Sequence, residues 1–267
     1  RAALQPRLDA TLAGEFPELR DLDRAALLDA SRELLSEQPL TRSQLGRALA
    51  TRFRSYQADA LAFAATRALP LVHLPPAGEW GSRAAPRYAA AEAWLGRRPA
   101  PRELAEENLV RRYLAAFGPA SVADISAWSG VPGLQGVVTR IQKDLVRIPG
   151  AGGRALWDVP GAPDDSGNPA RVCLLPAYDN LLFAYADRSR VVPRAYQAPL
   201  SRGAAPILDD GFVAGTWHLT ETEAGEVRCE VRGARDLAYD AVRAEAAAMA
   251  GRLFPGRALR LEVLPER

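Results

Sequence analysis

The stretch that decides the fold is a capped helix start that occurs twice, 80 residues apart. The first copy reads Pro39-Leu-Thr41-Arg-Ser-Gln44-Leu45-Gly-Arg-Ala-Leu49, and the second reads Pro119-Ala-Ser121-Val-Ala-Asp124-Ile125-Ser-Ala-Trp128-Ser129. In each copy, a Thr or Ser suited to the N-cap position stands three residues before a Gln or Asp that can close a capping box, although Asp fits this role less well. Each copy therefore predicts the beginning of a helix.

The segments around the two copies follow the same order. An amphipathic helix precedes each copy, such as the leucine-rich residues 23–36, and a further helical stretch and a short apolar strand follow. Helix, capped helix, helix and hairpin is the order of a winged helix-turn-helix, in which the third helix is the recognition helix. In the first copy this third helix is predicted at residues 57–69. Two such units indicate a chain that binds nucleic acid.

The predicted fold class is α+β, with five parts in the chain. They are a linking helix (1–22), a winged helix with a long wing loop (23–98), a second winged helix (99–160), a linker (161–170) and a small β-barrel-like domain (171–267). The β-rich part is expected to contain one helix, at residues 236–254. Within the first winged helix, residues 88–95 are also expected to be helical.

The charge of the chain is small overall but uneven. The formal net charge is +2, yet residues 38–98 contain nine Arg against three acidic residues, a net charge of +6. A positive field confined to the first winged helix suits binding to duplex DNA better than a uniformly basic chain would.

The residues that bind metals or form covalent adducts are scarce. Cys173 and Cys229 fit no metal-ligand spacing, and two cysteines are typical of a reduced, cytoplasmic protein. His73 and His218 lie in strand-like apolar surroundings and are expected to be core residues. Lys143 is the only lysine, so the chain has little capacity for Schiff-base chemistry. We expect no metal, no cofactor and no membrane span.

Three separated motifs carry a resemblance to a known family. They are Leu174-Leu-Pro-Ala-Tyr-Asp179-Asn180-Leu-Leu-Phe-Ala-Tyr-Ala-Asp187-Arg188-Ser-Arg-Val-Val, Gly211-Phe-Val-Ala-Gly-Thr-Trp217, and the Trp80-Gly81, Arg87-Tyr88 and Glu92-Ala-Trp94-Leu-Gly96 series. In this order they resemble a bacterial winged-helix family that includes the AlkZ-type DNA glycosylases. The resemblance begins near residue 25 and covers nearly all of the chain that follows.

The resemblance implies three tandem winged helices around a DNA channel, followed by a β-barrel. This chain would supply the second and third winged helices and the barrel. The catalytic motif of the family, Gln-apolar-Gln or Gln-x-Asp, lies in its first winged helix. Gln-apolar-Gln does not occur in this sequence, and no further winged helix precedes residue 23 to contain either form. Either that domain lies upstream of Arg1 or the protein lacks it. A second departure is Ala177, where the family usually has an acidic residue.

Asp179 and Asn180 are the catalytic candidates of the chain. The resemblance places them at the mouth of the DNA channel, where a carboxylate can orient water or stabilise an oxocarbenium-like sugar. The alternative is a structural turn, because Asp-Asn is common turn chemistry.

The DNA-binding candidates fall into three groups, each weighed against a structural or solvated alternative. The corner between the second and third helices contains Arg52, Arg54, Tyr56 and Gln57, where a helix-turn-helix meets phosphate. The proline-bounded wing loop contains Arg83 and Arg87, together with Trp80 as a wing or a core residue. The third helix of the second unit contributes Arg140 and Lys143 to a polar face that also includes Gln135.

The sequence therefore predicts a DNA-binding protein, and the resemblance implies a monofunctional DNA glycosylase for bulky alkylated purines or cross-links, in repair or in self-resistance to a genotoxin. The expected partner is damaged double-stranded DNA, bound by a cytoplasmic monomer. A non-catalytic winged-helix regulator is the alternative. A third interpretation, a ligand-binding β-domain, would require a closed apolar pocket after residue 171.

Overall fold

A computed structural model describes residues 2–79, 82–163, 172–222, 225–233 and 237–264. Its contacts divide the chain into two units. The first unit contains Arg1–Arg112 and Ser129–Ile141, and the second contains Tyr113–Trp128 and Gln142–Arg267. The division into five parts that the sequence predicts stays a prediction. Residues 164–170 of the expected linker lie outside the described residues, and so does Trp80.

The first unit begins with helices. A 3-10 turn at Ala2–Leu4 leads into α1 (Gln5–Glu15), and a second at Pro17–Asp21 leads to α2 (Arg24–Glu37). The Asp23 side chain accepts a hydrogen bond from the Ala26 N–H and caps α2. β1 (Leu40–Thr41) then leads directly into α3 (Arg42–Arg52).

The predicted capping box at the start of α3 is present. The Gln44 N–H donates to Thr41 Oγ1 at 3.3 Å, and the Thr41 N–H donates to Gln44 Oε1 at 2.9 Å. The equivalent box at Ser121 is also formed, with the Asp124 N–H donating to Ser121 Oγ at 3.2 Å and the Ser121 N–H donating to Asp124 Oδ2 at 2.8 Å. These local bonds confirm both helix starts that the sequence predicts.

A three-stranded antiparallel sheet completes this region. After α4 (Ala58–Ala68) come β2 (Leu71–Leu74), β3 (Arg87–Ala90) and α5 (Ala91–Leu95), and the strand order is β1-β3-β2. The helix expected at residues 88–95 is therefore only partly correct. Its first residues pair with β2, Tyr88 opposite His73 and Ala90 opposite Leu71, because strand pairing outweighs the local helix propensity of the alanines.

The core of the first unit is built from leucines of α2, α3 and α4. Leu27, Leu45, Leu49 and Leu61 are at most 1% exposed. α3 and α4 approach closely at Gly46, where an added Cβ would collide with the Ala58 carbonyl oxygen. Only glycine permits this contact between the two helices.

Three more helices and a hairpin follow. α6 (Arg102–Phe117) crosses the boundary between the units, α7 (Val122–Ser129) lies almost wholly in the second, and α8 (Leu134–Ile141) belongs to the first. β4 (Val146–Pro149) and β5 (Ala155–Asp158) pair antiparallel, and an isolated bridge joins Ala120 to Trp157.

The rest of the second unit is organised around a five-stranded sheet. Its strands are β6 (Cys173–Leu174), β7 (Ala205–Asp209), β8 (Phe212–Glu221), β9 (Val227–Gly233) and β10 (Leu259–Leu264), in the order β10-β9-β8-β7-β6. β10 runs parallel to β9, and the other pairs are antiparallel. α9 (Arg194–Ser201) precedes β7, and α10 (Tyr239–Leu253) connects β9 to β10.

The sequence predicts a β-rich region here, which this sheet confirms. β6 and β10 are opposite ends of the strand order, and no pairing joins them among the described residues, so the barrel-like form stays a prediction. The expectation of one helix is wrong, since α9 is a second. α9 is only eight residues long and contains Pro199, so it lacks the long periodic pattern by which helices are recognised.

Candidate functional site

The predicted catalytic pair lies in a tight turn of the second unit. Asp179 is the N-cap of a 3-10 helix, Asn180–Phe183, and its Oδ1 accepts the Leu181 N–H at 2.9 Å. The Asp179 N–H bonds back to the Pro176 carbonyl at 3.3 Å. Asp179 is half-buried and Asn180 is exposed. Asp179 thus performs the turn role that the sequence offered as its alternative.

Tyr178, immediately before this pair, was not singled out from the sequence. Its φ is +60°, in the left-handed region that non-glycine residues seldom adopt, and the side chain is 60% exposed. A Cβ on Gly203 would lie 3.0 Å from Tyr178 Oη, so the glycine leaves room for the phenol. The turn therefore presents an aromatic ring, a carboxylate and an amide on consecutive residues.

The segment after the turn is anchored to helix ends of the same unit. Tyr113 Oη donates to the Ala184 carbonyl at 2.5 Å, and Tyr185 Oη donates to the Phe117 carbonyl at 2.9 Å. Asp124 Oδ1 accepts the Ala186 N–H at 2.9 Å while Oδ2 closes the capping box. Burial raises the pKa of Tyr113 and of Tyr185 and keeps both phenols neutral donors.

Asp124 is a residue whose second role sequence reasoning missed. The capping spacing identified it, but the bond from Ala186 joins positions 62 residues apart and leaves no local signal. Asp187 repeats the cap of Asp179, since its Oδ1 accepts both the N–H and the hydroxyl of Ser189. These hydrogen bonds lower the pKa of Asp187.

At the predicted DNA-binding corner between α3 and α4, one arginine is paired with a carboxylate and the other is not, among the described residues. The Arg52 guanidinium donates to both Glu33 carboxylate oxygens, at 2.5 and 3.0 Å, which lowers the pKa of Glu33 and raises that of Arg52. Among the described residues, Arg54 donates only to the Thr51 carbonyl, at 3.5 Å. Tyr56 packs half-buried against the core, while Gln57 is exposed at the N-cap of α4.

The two wing-loop arginines also differ. Arg87 donates twice to the Pro39 carbonyl, at 3.2 and 2.8 Å, and so ties β3 to the residue that precedes β1. Arg83 is exposed in the segment between β2 and β3. Arg83 is therefore the freer of the two to meet a phosphate.

α4, the predicted recognition helix, has no free face along its middle. Residues 60–65 are each at most 7% exposed. Phe16, just after α1, contacts the ring of Phe63 with centroids 4.9 Å apart. The prediction that α4 reads DNA is therefore wrong for this stretch, because a helix buried all round cannot enter a groove. The sequence Ala60-Leu-Ala-Phe-Ala-Ala65 contains no polar residue and carried that signal.

α8 has the opposite character. Leu134, Val137, Val138 and Ile141 are buried, and the intervening positions, including Gln135 and Arg140, are exposed. Arg140 Nε lies 3.6 Å from Glu107 Oε1. Lys143 is exposed in the 3-10 helix Gln142–Asp144 that follows.

Across the described residues, no group of three or more His, Cys, Asp or Glu side chains is placed to hold a metal ion. His73 and His218 are both exposed, so their assignment to the core is wrong; each occupies the outward position of its strand. Of the helices in the described part of the chain, none has the length and apolar character needed to cross a membrane.

Comparison with known proteins decides the family. A family model described as DNA glycosylase AlkZ-like matches residues 1–252. The chain belongs to the DNA glycosylase AlkZ-like family. Among solved structures, the Streptomyces sahachiroi DNA glycosylase AlkZ aligns with a TM-score of 0.73 and 19% identity, over 98% of this chain and 77% of that one. No curated protein matches the chain.

Membership of the AlkZ-like family confirms the resemblance and gives the chain its activity class. It is a DNA glycosylase, a hydrolase with a role in DNA repair. The solved AlkZ structure, at 19% identity, adds a shared α+β fold.

Proposed function

We propose that this AlkZ-like glycosylase hydrolyses the N-glycosidic bond of bulky alkylated purines or of cross-linked bases in double-stranded DNA. The observation that carries the proposal is the family match, which extends over residues 1–252 rather than over a helix-turn-helix alone. We place the protein in the cytoplasm as a monomer, acting in repair or in self-resistance to a genotoxin.

Hydrolysis of such substrates needs little acid catalysis from the enzyme. An alkylated purine is cationic and leaves readily, so the protein must mainly hold the DNA and stabilise the charge that develops at the sugar. A bulky adduct fits poorly in a base-flipping pocket, which favours an open site. The single lysine, Lys143, is exposed and lacks the desolvated surroundings that activate an amine.

This chemistry is monofunctional, and it has a direct test. Borohydride reduction during turnover should trap no covalent complex between the protein and damaged DNA. A trapped complex that disappears in Lys143→Ala would show that the protein uses lyase chemistry and would overturn this part of the proposal.

For the domains, we propose two winged helices, at 23–98 and 99–160, after a linking helix at 1–22. The order α2, β1, α3, α4, β2, β3 with its three-stranded sheet supports the first. The order α6, α7, α8 followed by the β4–β5 hairpin, with the Ala120–Trp157 bridge, supports the second. Residues 161–170 would then link the second winged helix to a β-rich domain at 171–267.

The proposed DNA contacts are the exposed and basic groups of the predicted set. Arg54, Arg83, Arg140 and Lys143 are the cations best placed for phosphate, because each is exposed and none is held by a bidentate carboxylate. Arg52 can join them by exchanging Glu33 for a phosphate, since exposed ion pairs are weak. Within the first unit, we add Tyr56, Gln57 at the N-cap of α4 and Arg87 at the first position of β3 to the proposed contacts.

Asp179 and Asn180 are proposed as supporting catalytic residues. One Asp179 oxygen accepts the Leu181 N–H, and the carboxylate lies between an exposed phenol and an exposed amide in the sequence. That charge can balance a cationic base or hold a water near the sugar. Asn180 would then fix the orientation of the carboxylate.

The test separates charge from shape. Asn at position 179 keeps an oxygen for the Leu181 N–H and removes the charge, so Asp179→Asn should fold normally. If the charge acts in the transition state, excision from an alkylated duplex should slow by one to two orders of magnitude, about 1.4–2.8 kcal/mol, with DNA affinity unchanged.

Asp187→Asn is the matched control, because Asp187 caps a 3-10 turn of the same unit in the same way. We expect it to excise at the wild-type rate. Equal rates for Asp179→Asn and the wild type would make Asp179 a structural cap only. No excision by the wild type on any alkylated or cross-linked duplex that it binds would favour the non-catalytic regulator.

A further inference from the structure

A cavity of about 350 Å³ lies in the first unit, and its lining includes none of the residues proposed above for catalysis or DNA contact. Its walls come from the first residue of α3, the second half of α4 and the facing side chains of β2 and β3. Besides two leucines, it is lined by Arg42, Phe63, Thr66, Arg67, His73 and Tyr88.

The cavity is rich in positive charge. The Cζ atoms of Arg42 and Arg67 lie 5.5 and 4.8 Å from the centroid of the Phe63 ring, so the two guanidinium groups are at most about 10.3 Å apart. The described lining residues include no carboxylate. Asp59, which is not among the lining residues, pairs with Arg42 and offsets one of these two positive charges. Guanidinium groups beside one ring can still hold an anion together, because each presents several donors.

Arg42 has hydrogen-bonding capacity to spare. Its Nη2 donates to Asp59 at 2.7 Å, and its Nη1 has no partner among the described residues. Its Nε is buried and also lacks a partner there. The Arg42 side chain as a whole is 41% exposed, so an anionic ligand can approach its guanidinium group from solvent.

Two further hydrogen-bond donors lie beside these cations. His73 and Tyr88 are directly opposite on β2 and β3, with ring centroids 4.6 Å apart in an edge-to-face arrangement. The imidazole and the phenol hydroxyl can each donate a hydrogen bond. His73 is exposed, so a ligand can reach the site from solvent.

We propose that this cavity binds a phosphate group. Planar guanidinium donors match phosphate oxygens in geometry and in charge. A phosphodiester of DNA and a free phosphate or nucleotide share this chemistry. The site is independent of base excision and uses none of the arginines proposed above for DNA contact.

The first arm of the test is calorimetric titration of the protein with inorganic phosphate and with a 5′-deoxynucleoside monophosphate. The wild type should bind both saturably, and Arg42→Ala should bind about tenfold more weakly, since it removes a charge-assisted bond. His73→Glu places a negative charge at an exposed position of the lining, and it should abolish binding without disturbing the core, as an unchanged melting temperature will confirm.

Arg47→Ala is the matched control, because Arg47 is an exposed arginine of α3 that bonds Ser43 and lies outside the cavity. It should bind like the wild type. The absence of saturable binding by the wild type would overturn the proposal, and so would an equal loss in Arg47→Ala.

The second arm identifies the source of the phosphate by titrating duplex DNA at several salt concentrations. If the site holds the DNA backbone, His73→Glu should reduce the slope of log K against log salt by about one. If the slope is unchanged while phosphate binding is lost, the ligand is a free phosphate or nucleotide. Neither arm measures excision, so failure of the glycosylase mechanism would leave both results intact.

Discussion

α4 and α8 occupy the same place in the two predicted winged helices, yet they differ in what they expose. The middle of α4, residues 60–65, is buried on every side. α8 buries four apolar positions and exposes the polar face between them. The order of elements therefore identifies a third helix in each unit, but only burial decides which one can meet DNA.

The cause of the difference lies partly outside the helix-turn-helix. The N-terminal helical segment packs on α4, through Leu12 in the shared core and Phe16 against Phe63. With α4 covered, two arginines proposed above for phosphate contact in the first unit, Arg54 and Arg83, lie in a corner and in a loop. We infer that the first unit supports DNA from its edges and that α8 offers a helix face.

The largest expected effect is on the free energy of unfolding, when a buried side chain of α4 is truncated. Leu61→Ala removes a fully buried side chain, and such truncations cost about 2–5 kcal/mol. Gln135→Ala, on the exposed face of α8, should change the free energy of unfolding by no more than about 0.5 kcal/mol. Urea unfolding of the two variants measures the contrast, and equal costs would show that α4 is not the packed helix described.

The next effect concerns DNA binding through α8. The double charge reversal Arg140→Glu with Lys143→Glu should weaken duplex binding by at least about tenfold and flatten its salt dependence by about two units of slope. The control is Arg243→Glu with Arg252→Glu on α10, an equal charge change at two exposed arginines. Equal losses of DNA affinity in the two double variants would show that the net charge of the protein, and not the position of α8 residues, determines binding.

A smaller effect is expected on the salt dependence of DNA binding when Arg52 or Arg54 is replaced. Arg54→Ala should reduce the salt slope by about one, since Arg54 has no carboxylate partner in the described structure. Arg52→Ala should reduce it less, because Arg52 must first leave Glu33. Fluorescence anisotropy at several salt concentrations measures both slopes. A larger loss in Arg52→Ala would reverse our assignment.

The smallest effect is the pH dependence of the Glu33–Arg52 pair. The pKa of Glu33 is lowered in the folded protein, so its contribution to stability is present above the pKa of the unfolded chain. That contribution is lost as the pH falls through the lower, folded value. Glu33→Gln should therefore melt slightly below the wild type at pH 7 and at the same temperature in strong acid. A difference in melting temperature between the two proteins that increases in acid would contradict this pH dependence.

The sequence was informative wherever the cause is local. Thr41 with Gln44 and Ser121 with Asp124 specify their helix starts within three residues, and both capping boxes are present. The family signature was equally readable, because its three separated motifs occur in the order of the family. The all-apolar middle of α4 was also visible, although its position in the helix order suggested DNA binding.

The remaining features depend on distant partners. Residues 88–90 form a strand only because β2 lies beside them, and Asp124 holds Ala186 across 62 positions. The cavity lined by Arg42, His73 and Tyr88 is formed by residues of α3, α4 and two strands, and no spacing in the sequence predicts it. Such sites require the packed structure.

The most direct test of the contrast between α4 and α8 is amide hydrogen exchange with and without duplex DNA. Residues 60–66 should exchange slowly in the free protein and should not change when DNA binds, because they are already packed. Residues 134–143 should exchange measurably when free and become protected on binding. New protection at 60–66, or none at 134–143, would contradict the account.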